Sequence, residues 1–270
     1  MNIKFLLLGT SLSLIPNLLY AQCAITDCQQ LGYTSLKSCN SGLKCPFGEY
    51  WACSEVEEKA VFGECTGYAK NCKIGQILNS DGTCTTNKES GKTPLGVVIA
   101  IKNNCGWAMT TKPIQTGIRW STEDVSTGAF QSNNGQQAIQ DFDVNGNMAK
   151  IIQASKGNSS TYPAAYAALN YAPSIAPDTK SKWKLPSFGL LHSLFMNLST
   201  VNNTLSKLGG IPLENDNEGI WSSSECHSEC AWFLCTPKNS DQYSCGDGIG
   251  SSSKIYNSFP NIGVRPVLAF

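Results

Sequence analysis

Thirteen cysteines stand behind an apolar N-terminal run, and this combination limits the chain more than any other feature. Lys4 leads into Phe5-Leu6-Leu7-Leu8, then Leu12, Leu14, Ile15 and Leu18-Leu19-Tyr20-Ala21. A positive start, an apolar middle and a small exit residue describe a secretory signal peptide over residues 1–21, cleaved after Ala21. Ser, Thr, Pro16 and Asn17 interrupt the run, which is too short and mixed for a stable membrane span. Gln22, just ahead of Cys23, argues against a lipid-modified cysteine. Cysteines exported to an oxidising compartment become disulfides. The expected location is secreted or cell-surface, with the periplasm as a further option.

The cysteines fall unevenly. Cys23, Cys28, Cys39, Cys45, Cys53, Cys65, Cys72 and Cys84 crowd the first third, Cys105 stands alone, and Cys226, Cys230, Cys235 and Cys245 cluster late. Large aliphatic residues are few between Cys23 and Cys84, so cross-links must replace a core there. Eight cysteines allow on the order of a hundred pairings, and spacing does not choose among them. Residues 22–86 therefore read as a small disulfide-rich module, 87–94 as a polar linker, and 95–270 as the main domain. The rival reading of the module, zinc, lacks Cys-x2-Cys pairs and any histidine in the segment. Cys105 is the odd one, read as a small, partly buried thiol.

Charge removes one class of partner. Lys+Arg 20 balances Asp+Glu 20 with no basic stripe, so the footprint of a nucleic-acid binder is missing. Ser, Thr, Asn and Gly give a neutral hydrogen-bonding surface, which suits a glycan or another protein.

In the main domain, Leu95-Gly96-Val97-Val98-Ile99-Ala100-Ile101 is a continuous β-branched run, hence a central strand. Asn103-Asn104 follows as a tight turn, and Gly106 to Thr110 should pair back as a hairpin. Asp141-Phe142-Asp143-Val144-Asn145-Gly146 matches the first half of a calcium loop, but Ile152 occupies the position of the bidentate Glu. It reads instead as a turn capping a helix from near Asn147. Thr161 to Tyr171 is a second helix, ended by Pro173 and Pro177. Ser187 is the expected N-cap of a third, with Leu190, Leu191, Leu194, Phe195 and Leu198 as its apolar stripe. Thr204 to Leu208 extends it to Gly209-Gly210. Gly219 to Glu225, Ala231 to Leu234 and Gly263 to Phe270 read as strands, the last buried in a sheet. Trp183, Trp221 and Trp232 are expected in the core, not as a sugar-stacking platform. Arg265 should lock onto a carboxylate such as Glu225.

The order of Trp183-x-Leu185-Pro186-Ser187, Trp221 to Glu225, Ala231-Trp232 and Val264-Arg265-Pro266-Val267 resembles that of DUF1566 domains, also called the Legionella collagen-like protein C-terminal domain family. The resemblance covers residues 94–270 and extends to the leader ending in Ser80-Asp81-Gly82-Thr83-Cys84, which looks like that of gut bacterial secreted proteins. It implies an α+β, C-type-lectin-like fold, a twisted antiparallel sheet with two helices, related to formylglycine-generating enzymes.

That relationship raises an enzymatic alternative, an oxidoreductase using late cysteines. Four cysteines in a loop-rich segment more simply make two disulfides, Cys226–Cys245 and Cys230–Cys235. His192 and His227 fall in no nucleophile motif, and no phosphate loop or metalloprotease motif occurs. No catalytic residue, cofactor or metal is expected. Calcium-dependent lectin motifs are missing, so Glu214, Asn215, Asp216, Asn217 and Glu218 read as a solvated loop. The expected function is bacterial surface recognition or adhesion toward a glycan or surface protein; a structural envelope component is the other alternative. The segment from Thr236 to Ile262 is either a displayed binding loop or a solvated connection held by Cys245. Its candidate ligand contacts are Asn239, Asp241, Tyr243, Lys254, Tyr256 and Asn257.

Overall fold

A computed structural model describes residues 60–65, 67–213, 219–235, 248–255 and 262–270, with the backbone of 35–38 and 51–54. The chain divides into two compact units, Met1–Glu58 and Lys59–Phe270. In the first, β1 (Ser35–Ser38) pairs antiparallel with β2 (Trp51–Ser54).

The second unit begins earlier than the linker at 87–94 suggested. Strands β3 (Ile77–Asn79) and β4 (Cys84–Thr85) belong to the same sheet as β5 (Pro94–Lys102) and β6 (Cys105–Met109). Ile77 and Leu78 are fully buried there, so this end of the cysteine-rich stretch rests on a real core. A disulfide joins Cys72 to Cys84, and another ties Cys65 to Cys105. Cys105 is thus a bonded cysteine and not a lone thiol: the β5–β6 hairpin carries it to residue 65, forty positions upstream.

The hairpin turn is as the sequence suggests. Asn103 and Asn104 both take positive φ, 51° and 60°, the two-residue turn whose twist matches that of its strands. β5 buries side chains on both faces, with a register shift against β3 at Leu78/Asn79 and against β6 at Val98/Ala100. Val97 and Ile99 enter the main core, whereas Leu95 and Val98 join a smaller cluster with Tyr68, Leu78, Trp183 and Phe270.

Five α-helices follow among the described residues, not two: α1 (Gly135–Ala138), α2 (Val144–Ala154), α3 (Pro163–Asn170), α4 (Phe188–Met196) and α5 (Leu198–Lys207). Asp143 caps α2, accepting from Gly146 N at 2.8 Å, which explains the half-matched calcium loop. Ser187 occupies the N-cap of α4 but makes no side-chain cap bond. The helix end is docked on its neighbours instead: Phe188 N donates to Ser224 Oγ (2.8 Å) and Gly189 N to Asp141 O (2.8 Å).

The C-terminal run Gly263 to Phe270 is not one strand. Two short strands, β11 (Ile262–Gly263) and β12 (Val267–Ala269), serve different sheets. Arg265-Pro266 makes the crossing, where the proline has no N–H to give a ladder. One sheet has the order β4-β3-β5-β6-β12-β7, with β7 at Trp183–Lys184. The other has the order β10-β9-β8-β11, built from β8 (Gly219–His227), β9 (Cys230–Leu234) and β10 (Ile249–Ser253). The β8–β11 pair is parallel. Helix α4 touches β5 of the first sheet and β8 and β9 of the second. Phe270 is wholly buried and exchanges two 2.9 Å hydrogen bonds with Gly106. A Cβ at Gly106 would lie 2.4 Å from the Phe270 ring, so glycine is needed at that crossing.

Candidate functional site

Most buried polar groups of the second unit serve its framework. Ser222, Ser223 and Ser224 of β8 are wholly buried. Ser222 Oγ donates to Trp232 O (2.7 Å), Ser223 Oγ to Pro186 O (3.3 Å) and Ser224 Oγ to Asp141 Oδ2 (2.6 Å). The same Asp141 oxygen accepts from Asn147 Nδ2 at 2.6 Å, tying α2 to β8 and α4. Next in the strand, Glu225 is fully buried and ion-paired, but its partner is Lys254 and not Arg265. Arg265 Nη2 donates to Ile211 O at 2.8 Å.

Lys254 Nζ also donates to Val125 O (3.1 Å) and Ser228 O (2.7 Å) and lies 4.8 Å from the centre of the Trp120 ring. Burial holds its pKa below the usual lysine value, opposed by its hydrogen bond and charge pairing with Glu225. Lys254 is therefore a structural residue, not a ligand contact of a displayed loop. Nor is the stretch 236–262 a single loop, because β10 lies inside it and pairs with β9. Gly250 makes that pairing possible: a Cβ there would sit 2.4 Å from the Phe233 ring. Asn239, Asp241, Tyr243, Cys245, Tyr256, Asn257 and the 214–218 loop lie outside the described residues.

The late cysteines pair differently from expectation. Cys226 is joined to Cys230 across the β8–β9 turn, where strand pairing brings their Cα atoms to 5.3 Å. Cys235 is also disulfide-bonded. The sulfurs of Cys226 and Cys230 and the His227 imidazole lie within 4.8 Å of one another, a spacing that could suit a metal. With the two sulfurs bonded to each other there is no thiolate to ligate one.

Trp183, Trp221 and Trp232 are buried in the core as expected, Trp120 is buried with them, and each of the four donates its indole N–H to a protein acceptor. Trp107 differs. It is 7% exposed, and its N–H has no hydrogen-bond partner among the described residues. It lines a cleft of about 340 Å³ at the turn end of the β5–β6 hairpin. The Cys65–Cys105 disulfide forms one wall, Lys102 and Asn103 border it, and Phe142, Asp143, Val144 and Asn145 close it from the start of α2. The Trp107 and Phe142 rings lie 6.4 Å apart, and Lys102 Nζ stands 3.8 Å from the centre of Phe142. Lys184 donates to Asn145 Oδ1 from β7, and burial lowers its pKa. Three features noted in the sequence meet here: the Asn-Asn turn, Cys105 and the half calcium loop. Sequence reasoning missed their convergence because it left Cys105 unpaired.

No family model matches the chain, and no curated protein matches it. Among solved structures, it is similar to a fimbrial protein from Bacteroides ovatus, with 15% sequence identity and a TM-score of 0.49 over 73% of this chain. The match covers 49% of that protein, so the chain spans about half its length. A likeness at this level carries no argument about fold or function. The described unit is a mixed α+β fold with disulfides at its N-terminal side. Among the described residues, no helix is long and apolar enough to cross a membrane.

Proposed function

We propose that this chain is an exported bacterial recognition or adhesion protein, holding a glycan or surface-protein ligand in the cleft at the β5–β6 hairpin. The observation that carries this reading is the contrast in polar groups. The Asp141 and Glu225 clusters have partners within the fold, whereas among the described residues the cleft presents a solvent-facing indole N–H and an ammonium without protein acceptors. The signal-like leader and the disulfides support export. The motif order supports a C-type-lectin-like domain of the DUF1566 type. Asn239, Asp241, Tyr243, Tyr256 and Asn257 add a second set of contacts on composition alone. A copper-thiolate oxidoreductase site at the late cysteines would need free thiols, and Cys226 and Cys230 are joined.

The test is a glycan and surface-protein array probed with residues 22–270 and with Asn145→Trp. The exposed first-turn position should accept the ring, which would fill the cleft. Ligand captured by the parent chain should be lost by the variant. Capture unchanged in Asn145→Trp would move the site to the segments flanking β10.

A further inference from the structure

The groups facing the cleft are mostly donors. Trp107 is a largely buried ring whose one N–H is open to the cleft and takes no acceptor among the described residues. Asn145 uses its carbonyl oxygen on Lys184, so its amide NH2 remains to donate. Lys102 adds an ammonium, engaged with the face of Phe142 and in no carboxylate ion pair among the described residues. The single lining carboxylate, Asp143, is turned onto the first turn of α2 through Gly146 N. Two ammoniums, Lys102 and Lys184, thus stand against one carboxylate already engaged at a helix start. The walls, a disulfide, Val144 and two rings, are apolar.

We propose that the cleft receives a carboxylate-bearing sugar residue, of uronic-acid type, from an acidic glycan. This rests on the reading of the cleft as the binding site. The carboxylate takes charge-assisted bonds from Lys102 and the N–H groups of Trp107 and Asn145. The C–H face of the pyranose ring lies on the Phe142 and disulfide wall, and Asp143 accepts from a ring hydroxyl. The volume, about 340 Å³, is at the small end of ligand pockets and matches one or two sugar rings rather than a folded partner. A phosphate dianion suits the cleft less well, because Asp143 occupies the helix end that would otherwise attract it.

The experiment titrates the mature chain with methyl β-glucuronide and with methyl β-glucoside, which differ only in the C6 carboxylate, following tryptophan fluorescence. A glutamate-rich peptide is run as a third probe. The glucuronide should bind at least about tenfold tighter than the glucoside, with affinity falling as salt rises. Lys102→Gln, an exposed neutral change, should bring the two sugars to near equality. Trp107→Phe keeps a ring and deletes the N–H, and should weaken the glucuronide by roughly fivefold or more, about 1 kcal/mol. Equal binding of the two sugars, or tighter binding of the peptide, overturns the proposal. So does absence of glucuronide binding at millimolar concentration. If the array ligand is still lost in Asn145→Trp in any of these cases, the binding reading stands and only the sugar assignment fails.

Discussion

Lys254 places all three N–H donors on protein acceptors, Glu225, Val125 O and Ser228 O, inside a site closed to water. Breaking such a pair leaves a buried charge alone. Lys254→Met should therefore cost about 3–5 kcal/mol in denaturant unfolding. Adding Glu225→Gln should restore much of it, since the amide removes the charge and still accepts from Thr127 N. Tyr162 stands edge-on to Trp120 at 5.7 Å in the same region. Burial first, then the charges of Glu123 and Glu225, raise its pKa above the ordinary phenol value of 10.0. Above that pH the unfolded chain releases this proton before the folded one does, so stability falls as pH rises from 10.0 toward the folded pKa. Burial raises the pKa of Tyr171 as well, so an alkaline titration of tyrosinate absorbance should show a late step that Tyr162→Phe reduces in amplitude. The sequence does show that a glutamate after Trp-Ser-Ser-Ser needs a cation. It does not show which one, because Lys254 lies 29 residues away in a Ser- and Gly-rich stretch with no strand signature.

The elements with strong periodicity were the legible ones. The β5 run, the Asn-Asn turn and the Leu190, Leu191 and Leu194 stripe of α4 all form as their patterns suggest. β10 was not legible: Ile-Gly-Ser-Ser-Ser has low strand propensity and is a strand because β9 pairs with it. The split between β11 and β12 was also hidden, since a proline marks a break without naming the next sheet. Close approach at the start of α4 is testable. A Cβ at Gly189 would come within 2.3 Å of the Asp141 carbonyl oxygen, a backbone atom that cannot swing aside. Gly189→Ala should cost roughly 1–3 kcal/mol despite alanine's better helix propensity, read as a lower unfolding midpoint. The Cys65–Cys105 tether closes forty residues. Replacing both by serine should cost about 2–4 kcal/mol in thermal or chemical unfolding and loosen the cleft wall.

At the scale of the whole molecule, thirteen is an odd number of cysteines, so at least one has no partner within the chain. Cys65, Cys72, Cys84, Cys105, Cys226, Cys230 and Cys235 are all bonded. The remainder therefore belongs to Cys23, Cys28, Cys39, Cys45, Cys53 or Cys245, and not to Cys105 as the spacing suggested. Alkylation of the unreduced protein followed by mass spectrometry should label a cysteine in that group, or find it bridging two chains; label at Cys105 would refute the assignment. The two-unit division moves the boundary for the same reason, because cysteine spacing reports cross-links while sheet membership follows Ile77 and Leu78. The position of β12 bears on how the protein is made. Of the described strands it is the last in the chain, yet it lies between β6 and β7. A polypeptide emerging N-terminus first holds the β6 edge open until Val267–Ala269 arrive, a pairing template for any other newly made copy. A premature stop that removes only these few residues should leave a full-length-but-for-the-tail chain that is made normally and then aggregates, read as loss of the monomer in size-exclusion chromatography.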